Sequence, residues 1–254
     1  MTGDDYINGV LRKYWVDTSN GSPAVLAAQA IYPIIEEWAG TQLHEAKFSG
    51  SHAKGTGLAG VADTDVFISL KPDTTNTLKD IYHSLASTMR SKGYNPKLQN
   101  VSIRVHHNGV EVDLVPGVKH SGNSNYHWLY VRKSGRERTQ TNIDLHIQTV
   151  LQSGRINEIR ATKIWAYNHG LDFPSIHLEL VVIKALSGYQ QGNTANNFLT
   201  VLEYIRDHLE TARFIDPANT ANPVSDDLTD AEKQAIARQA GASRLEKNWE
   251  DTLW

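Results

Sequence analysis

Cysteine is absent from the 254 residues, which excludes disulfides, thiolate nucleophiles and cysteine-ligated zinc. Long apolar runs are absent too, and none approaches the ~20 residues that span a bilayer. The first ten residues, MTGDDYINGV, lack the basic start and apolar core of a secretion signal. A cytoplasmic protein with no membrane partner is expected. Charge of one sign is scarce: 25 Lys and Arg against 28 Asp and Glu leave a formal net charge of −3. Chains that hold long duplexes carry a strong basic excess, so any nucleic-acid contact is expected to be short. None of the eleven histidines forms the i, i+4 pair, with a glutamate, that a zinc hydrolase uses.

What is present is concentrated between Phe48 and Leu70, FSGSHAKGTGLAGVADTDVFISL. Asp63 and Asp65 lead into the apolar run Val66-Phe67-Ile68. Strand side chains alternate, so the two carboxylates point the same way, about 7 Å apart along the chain. Like charges so placed repel each other. A pair of divalent cations answers that repulsion, because magnesium takes hard oxygen ligands and bridges carboxylates to phosphates. Upstream, Gly50 leaves backbone N–H groups open to a phosphate. Ser51 adds a hydroxyl donor and Lys54 adds charge; His52 is read as a phosphate contact at most, with no part in catalysis. Alone, a Gly-Ser pair is a turn and an Asp-x-Asp a solvated strand end. In this order, with a hydrophobic strand after the second aspartate, they form a pattern.

That pattern resembles the DNA polymerase β-type nucleotidyltransferases. The resemblance implies a third carboxylate on a neighbouring strand, and Val110-Glu111-Val112-Asp113-Leu114-Val115-Pro116 supplies it. Asp113 is the candidate, in Asp-Leu-Val-Pro, with Glu111 as a flanking residue on the same face. By implication Asp63, Asp65 and Asp113 hold two Mg2+ ions (or Mn2+) and carry the chemistry.

The surrounding pattern reads as α+β. Residues 4–16 and 23–38 have helical spacing, the second helix capped by Ser22 with Pro23 at its first position. Strands are expected at 43–49, 64–70, 97–107 and 110–118, with a helix over 74–92. Asn108-Gly109 is a strong hairpin turn. Residues 126–140 read as a hairpin whose tip holds Arg132, Lys133, Arg136 and Arg138. It either lines the path of a triphosphate or oligonucleotide, or is a solvated loop. Trp128 and Tyr130 beside it are core residues or base-stacking platforms. Helices follow at 142–153, 157–168, from Pro174, at 195–213, and from Asp230 to the C-terminus. The expected fold is therefore a polymerase-β-like nucleotidyltransferase core, a mixed sheet backed by helices, followed by an α-helical domain. One cut near 140 divides them: 1–140 as the catalytic core with an N-terminal helical brace, and 141–254 as a helical domain closing the nucleotide cleft.

In the second half, Ile159 to Trp165, Phe173 to Leu180 and Phe214-Ile215-Asp216-Pro217-Ala218-Asn219 resemble the helical domain of a narrower group. It comprises archaeal-type CCA-adding enzymes, oligoadenylate synthetases and bacterial cyclic-oligonucleotide synthases, the CD-NTase-like enzymes. The resemblance spans roughly residues 40–230 and implies that Lys163 and Ser175 contact the triphosphate. It implies template-independent transfer of a nucleotidyl group from an NTP or dNTP to a hydroxyl, with pyrophosphate released. The implied product is a short oligonucleotide or cyclic nucleotide of the antiphage-signalling type, read by an effector protein. Two alternatives stay open: a tRNA or RNA 3′-end nucleotidyltransferase, against which the modest charge argues, and a catalytically silent nucleotide binder or toxin–antitoxin component.

Overall fold

Side-chain caps fix several of the helix starts. The computed structural model describes residues 1–61, 63–122, 124–132 and 137–254. Helix α1 (Gly3–Lys13) opens on a reciprocal cap in which Thr2 Oγ1 accepts from Asp5 N and the Asp5 carboxylate accepts from Thr2 N. Helix α2 (Pro23–Ala39) begins, as expected, with Ser22 as its cap and Pro23 at its first position. Strand β1 (Leu43–Phe48) leads straight into a single-turn helix, α3 (Gly50–Lys54), and then comes β2 (Thr64–Leu70). Helix α4 (Leu78–Ser91) starts later than expected, because Thr77 caps it while the Thr74 hydroxyl bonds Gln42 and the carbonyl of Lys71.

The strand expected over 97–107 is broken into β3 (Lys97–Leu98) and β4 (Ile103–His107). Gln99 N donates to Ser102 O at 2.9 Å, closing a turn. The buried Tyr82 hydroxyl lies 2.8 Å from Gln99 O and 2.9 Å from Ser102 O, which pins it. Asn108 and Gly109 then turn the chain into β5 (Val110–Lys119) with φ of 48° and 81°, the positive pair that a two-residue hairpin requires. Strands β6 (His127–Tyr130) and β7 (Arg138–Thr141) complete the sheet. Of the expected basic tip, Lys133 and Arg136 lie outside the described residues.

The sheet runs β1-β2-β5-β4-β3, with β6 paired to β5 and β7 to β6. β2 and β5 are parallel and the remaining pairs antiparallel, so the expected mixed sheet is present. Six helices follow: α5 (Ile143–Ser153), α6 (Ile156–Asn168), α7 (Ser175–Ala185), α8 (Thr194–His208), α9 (Asp230–Leu245) and α10 (Trp249–Leu253). The single C-terminal helix expected from the pattern is two, because Glu246 adopts extended backbone angles.

Two compact units result, and neither is continuous in sequence. One comprises Asp17–Lys54 and Ala62–Ile147; the other comprises Met1–Val16, Gly55–Val61 and Gln148–Trp254. This division differs from a single cut near 140: α1 lies in the helical unit, and the glycine-rich connection contributes seven residues to it. The cause is apolar burial. Ile7, Val10 and Leu11 on α1 and Leu58 in the connection share a core with Ile159, Trp165 and Phe198. The sheet unit has its own core, in which Ile31 and Ile35 of α2 and Tyr82, Leu85 and Met89 of α4 cover Ile68, Val112 and Leu114.

Candidate active site

Sheet register assembles the acidic residues. In the parallel pair β2–β5, Asp65 stands opposite Asp113, and paired residues of adjacent strands share a face. Asp63 immediately precedes β2. Arg104 on β4 stands opposite Asp113 and reaches both ends of the cluster. Its Nε donates to Asp113 Oδ1 at 2.8 Å and its Nη2 to Asp113 Oδ2 at 3.0 Å, while Nη2 also pairs with Asp63 Oδ2. The three carboxylates expected to act together are therefore gathered on one face of the sheet unit.

Their electrostatics reflect crowding. Burial, reinforced by the charges of Asp113 and Asp63, pushes the Asp65 carboxyl up to about 6, against the pull of Lys54 and Arg104. Burial also raises Asp63, with Arg104 working in the opposite direction. Hydrogen bonds to Asp113 raise the pKa of the Arg104 guanidinium further above its already high value. A group of carboxylates held this tightly is a strong demand for positive charge, and its donors are all hard oxygens, the set that suits Mg2+ or Mn2+. Among the described residues no three His, Asp or Glu side chains converge as a ready metal cage; the guanidinium of Arg104 stands between Asp63 and Asp113.

Gly50 is fixed by this cluster. Its φ is +55°, and a Cβ at this position would fall 1.8 Å from Asp65 Oδ2. Only glycine lets the end of β1 pass so close to the carboxylate. Ser51, the next residue, is half-buried on α3, and Lys54 at its end is buried. The His52 ring stacks on Phe48 with centroids 4.3 Å apart. Burial lowers its pKa, and its Nε2 is enclosed with no hydrogen-bond partner.

Lys163 and Ser175 belong to the helical unit. Lys163 Nζ donates to Glu179 Oε1 at 2.8 Å and to Thr56 Oγ1 at 3.1 Å, and Thr56 Oγ1 donates to Glu179 at 3.0 Å. Glu179 is wholly buried, so this lysine neutralises an interior carboxylate. Ser175 is exposed at the first position of α7. The Asp-Pro-Ala-Asn segment is a loop clamped by its own aspartate: Asp216 Oδ1 accepts from Ala218 N at 2.8 Å and Oδ2 from Asn222 Nδ2 at 3.3 Å. In the sheet unit, Trp128 stacks with His120 at 4.5 Å and lies under the Arg138 guanidinium at 4.3 Å, so its ring is already engaged within the chain.

Arg104 is the site residue that the motif-based reading missed. The signal was available: a two-residue turn at Asn108-Gly109 sets His107 against Val110 and hence Arg104 against Asp113. Glu111, assigned only a flanking place, accepts from Arg104 Nη1 at 2.7 Å, and its other oxygen is 2.7 Å from His106 Nε2.

The α+β sheet unit and the helical unit together have the fold of the CD-NTases, a nucleotidyltransferase core with a helical domain. CdnC of E. coli MS115-1, determined with ATP, superposes with a TM-score of 0.76 at 20% identity, covering 98% of this chain and 94% of that one. CdnE of Elizabethkingia meningoseptica, a cyclic dinucleotide synthase determined with GTP and Apcpp, gives 0.72 at 12% identity over 94% and 97%. CdnG of Bradyrhizobium diazoefficiens, a CD-NTase determined with GTP, gives 0.71 at 11% over 100% and 95%. No family model and no curated protein matches the sequence.

Proposed function

We propose that this protein is a metal-dependent nucleotidyltransferase that moves a nucleotidyl group from a nucleoside triphosphate to a hydroxyl without a template, releasing pyrophosphate. The observation that carries this reading is the register of Asp65 against Asp113, with Asp63 tied to the same cluster through Arg104, on a CD-NTase fold. A short oligonucleotide or cyclic nucleotide is the proposed product, in keeping with the nucleotides present in the neighbours and with a net charge too low for a long nucleic acid. We place it in the cytoplasm, in antiphage signalling, with an effector protein as the reader of its product. A silent binder has no need of three gathered carboxylates, so catalysis is favoured.

In this mechanism Asp63, Asp65 and Asp113 would hold the divalent cations, which would supply charge neutralisation for the triphosphate and for an attacking hydroxyl. Asp113 is the proposed acceptor of the hydroxyl proton. Gly50 keeps the turn after β1 clear of Asp65; Ser51 and Lys54 are the proposed phosphate contacts from the sheet unit, and Lys163 and Ser175 those from the helical unit. The test is pyrophosphate release with Mg2+ or Mn2+ and each ribo- and deoxynucleoside triphosphate, singly and mixed, with products sized by mass spectrometry. Product that disappears in Asp63→Asn/Asp65→Asn supports the reading. Silence across all mixtures, with and without cellular RNA as acceptor, overturns it in favour of a binder.

A further inference from the structure

Arg104 has more partners in the carboxylate cluster than a structural ion pair requires. Its guanidinium occupies both oxygens of Asp113 and one oxygen of Asp63, which are the lone pairs that a bridging cation needs. Its remaining terminal nitrogen, Nη1, is anchored on Glu111 Oε2 at 2.7 Å. Glu111 lies two residues before Asp113 on β5, so both project from the same face. It is also pre-oriented, because His106 Nε2 lies 2.7 Å from its second oxygen. The side chain of Glu111 is 38% exposed against 9% for Asp113, so the guanidinium has a wetter partner than Asp113 toward which to move.

We propose that Arg104 is a built-in counter-cation for the acidic cluster, which a divalent ion must displace toward Glu111, so that Arg104 and Glu111 together set the metal affinity of the site. The inference rests on the reading of the three carboxylates as metal ligands. Without metal, the guanidinium relieves repulsion among Asp63, Asp65 and Asp113. With metal, Nε and Nη2 release Asp63 and at least one oxygen of Asp113 while Nη1 keeps its hold on Glu111. Arg104 is in this sense a positioning residue: it acts on the metal through the ligands and touches no reacting atom.

The experiment measures Mn2+ binding without nucleotide, by calorimetry or by the electron paramagnetic resonance of free Mn2+, on the full chain. Arg104→Gln is expected to bind Mn2+ about tenfold or more tighter than the wild type, the size of a charge-assisted hydrogen bond no longer broken. Glu111→Gln is expected to bind several-fold more weakly. The discriminating variant is the double one. If Glu111 acts by receiving the guanidinium, Glu111→Gln changes affinity less than about twofold once Arg104 is gone. If it acts only as a nearby charge, its effect is the same in both backgrounds, and the proposal fails. Equal or weaker binding by Arg104→Gln also overturns it. Should Arg104→Gln not fold, Arg104→Lys, which keeps the charge but loses the fork, is expected to bind with intermediate gain, and unchanged affinity there is the overturning result. Asp65→Asn separates the two levels. Binding that is lost in Asp65→Asn but unaltered by Arg104→Gln sinks only this inference. No binding by wild type or any variant sinks the metal reading of the carboxylates with it.

Discussion

One methyl group at Gly50 would test how tightly the cluster is built. A Cβ there meets Asp65 Oδ2 at 1.8 Å, and the φ of +55° is itself unfavourable for alanine. Gly50→Ala is expected to cost about 1–3 kcal/mol in stability from the strained backbone. It should also lower pyrophosphate release by about 10²-fold, because displacing a catalytic group by an ångström does that much damage. A variant that melts lower but keeps wild-type turnover would show that the close approach is only structural. Asp63→Asn and Asp65→Asn are each expected to lower turnover at least ~10²–10³-fold, the range of a single lost electrostatic contact in a water-poor site, with the fold retained by circular dichroism. Retained activity in either variant would remove that carboxylate from the mechanism.

At the scale of elements, α6 and α7 are joined by charge as well as by apolar packing. Lys163 on α6 and Glu179 on α7 form a buried pair completed by Thr56. Removing one partner leaves the other charged in the interior, which destabilises by about 3–5 kcal/mol. Lys163→Met is therefore expected to lower the melting temperature of the helical unit clearly, while Lys163→Met/Glu179→Leu recovers much of the loss. If the single variant melts like the wild type and only its KM for the triphosphate rises, Lys163 is a substrate contact and no structural pair. The sheet shows the same dependence on pairing. Tyr82 on α4 holds the turn at residues 99–102 that brings Ser102 Oγ to 3.5 Å from Asp113 Oδ2. Asn100 and Ser102 are turn-favouring residues, but the pin that fixes the turn comes from a helix earlier in the chain.

Across the whole molecule, each unit contains a histidine that its core keeps neutral. Burial holds His127 in the sheet unit and His177 in the helical unit at about 4. Both ring nitrogens of His177 lack a hydrogen-bond partner, and the ring packs between Phe173 and Phe214. The unfolded chain takes up these protons near the ordinary value of 6.5, before the folded chain does. The stability each imidazole contributes is complete above pH 6.5 and falls as pH drops toward 4, by about 3 kcal/mol for each by linkage. Asp65 runs the other way in the sheet unit: its raised carboxyl removes stability as pH rises from about 4 to about 6. Acid is expected to destabilise the helical unit through His177, as read by melting from pH 7.5 to 4.5. His177→Phe should flatten the helical unit's pH dependence and raise its melting temperature most at the acid end. An unchanged slope in that variant would show that the imidazole does not control it.

The sequence by itself determined what short-range patterns encode. The alternation at Asp63 and Asp65, the apolar run after them, the Asn108-Gly109 turn and the caps at Thr2 and Ser22 are all decided within a few residues, where steric and hydrogen-bonding preferences act directly. From these came the strands, most of the helices and the acidic motif. Only the tertiary structure decided what depends on burial and on pairing between distant strands. α1 and Gly55–Val61 joined the helical unit because their apolar side chains are buried there, and apolarity alone does not say against which core. The parallel β2–β5 pair, which puts Asp65 beside Asp113, spans a long crossover that no local signal registers. Arg104 lies between these cases. The hairpin turn fixed its place opposite Asp113, but its reach to Asp63 required β2 to lie on the far side of β5. That is a matter of sheet order, set by which strands most completely bury Ile68, Val112 and Leu114 beneath α2 and α4.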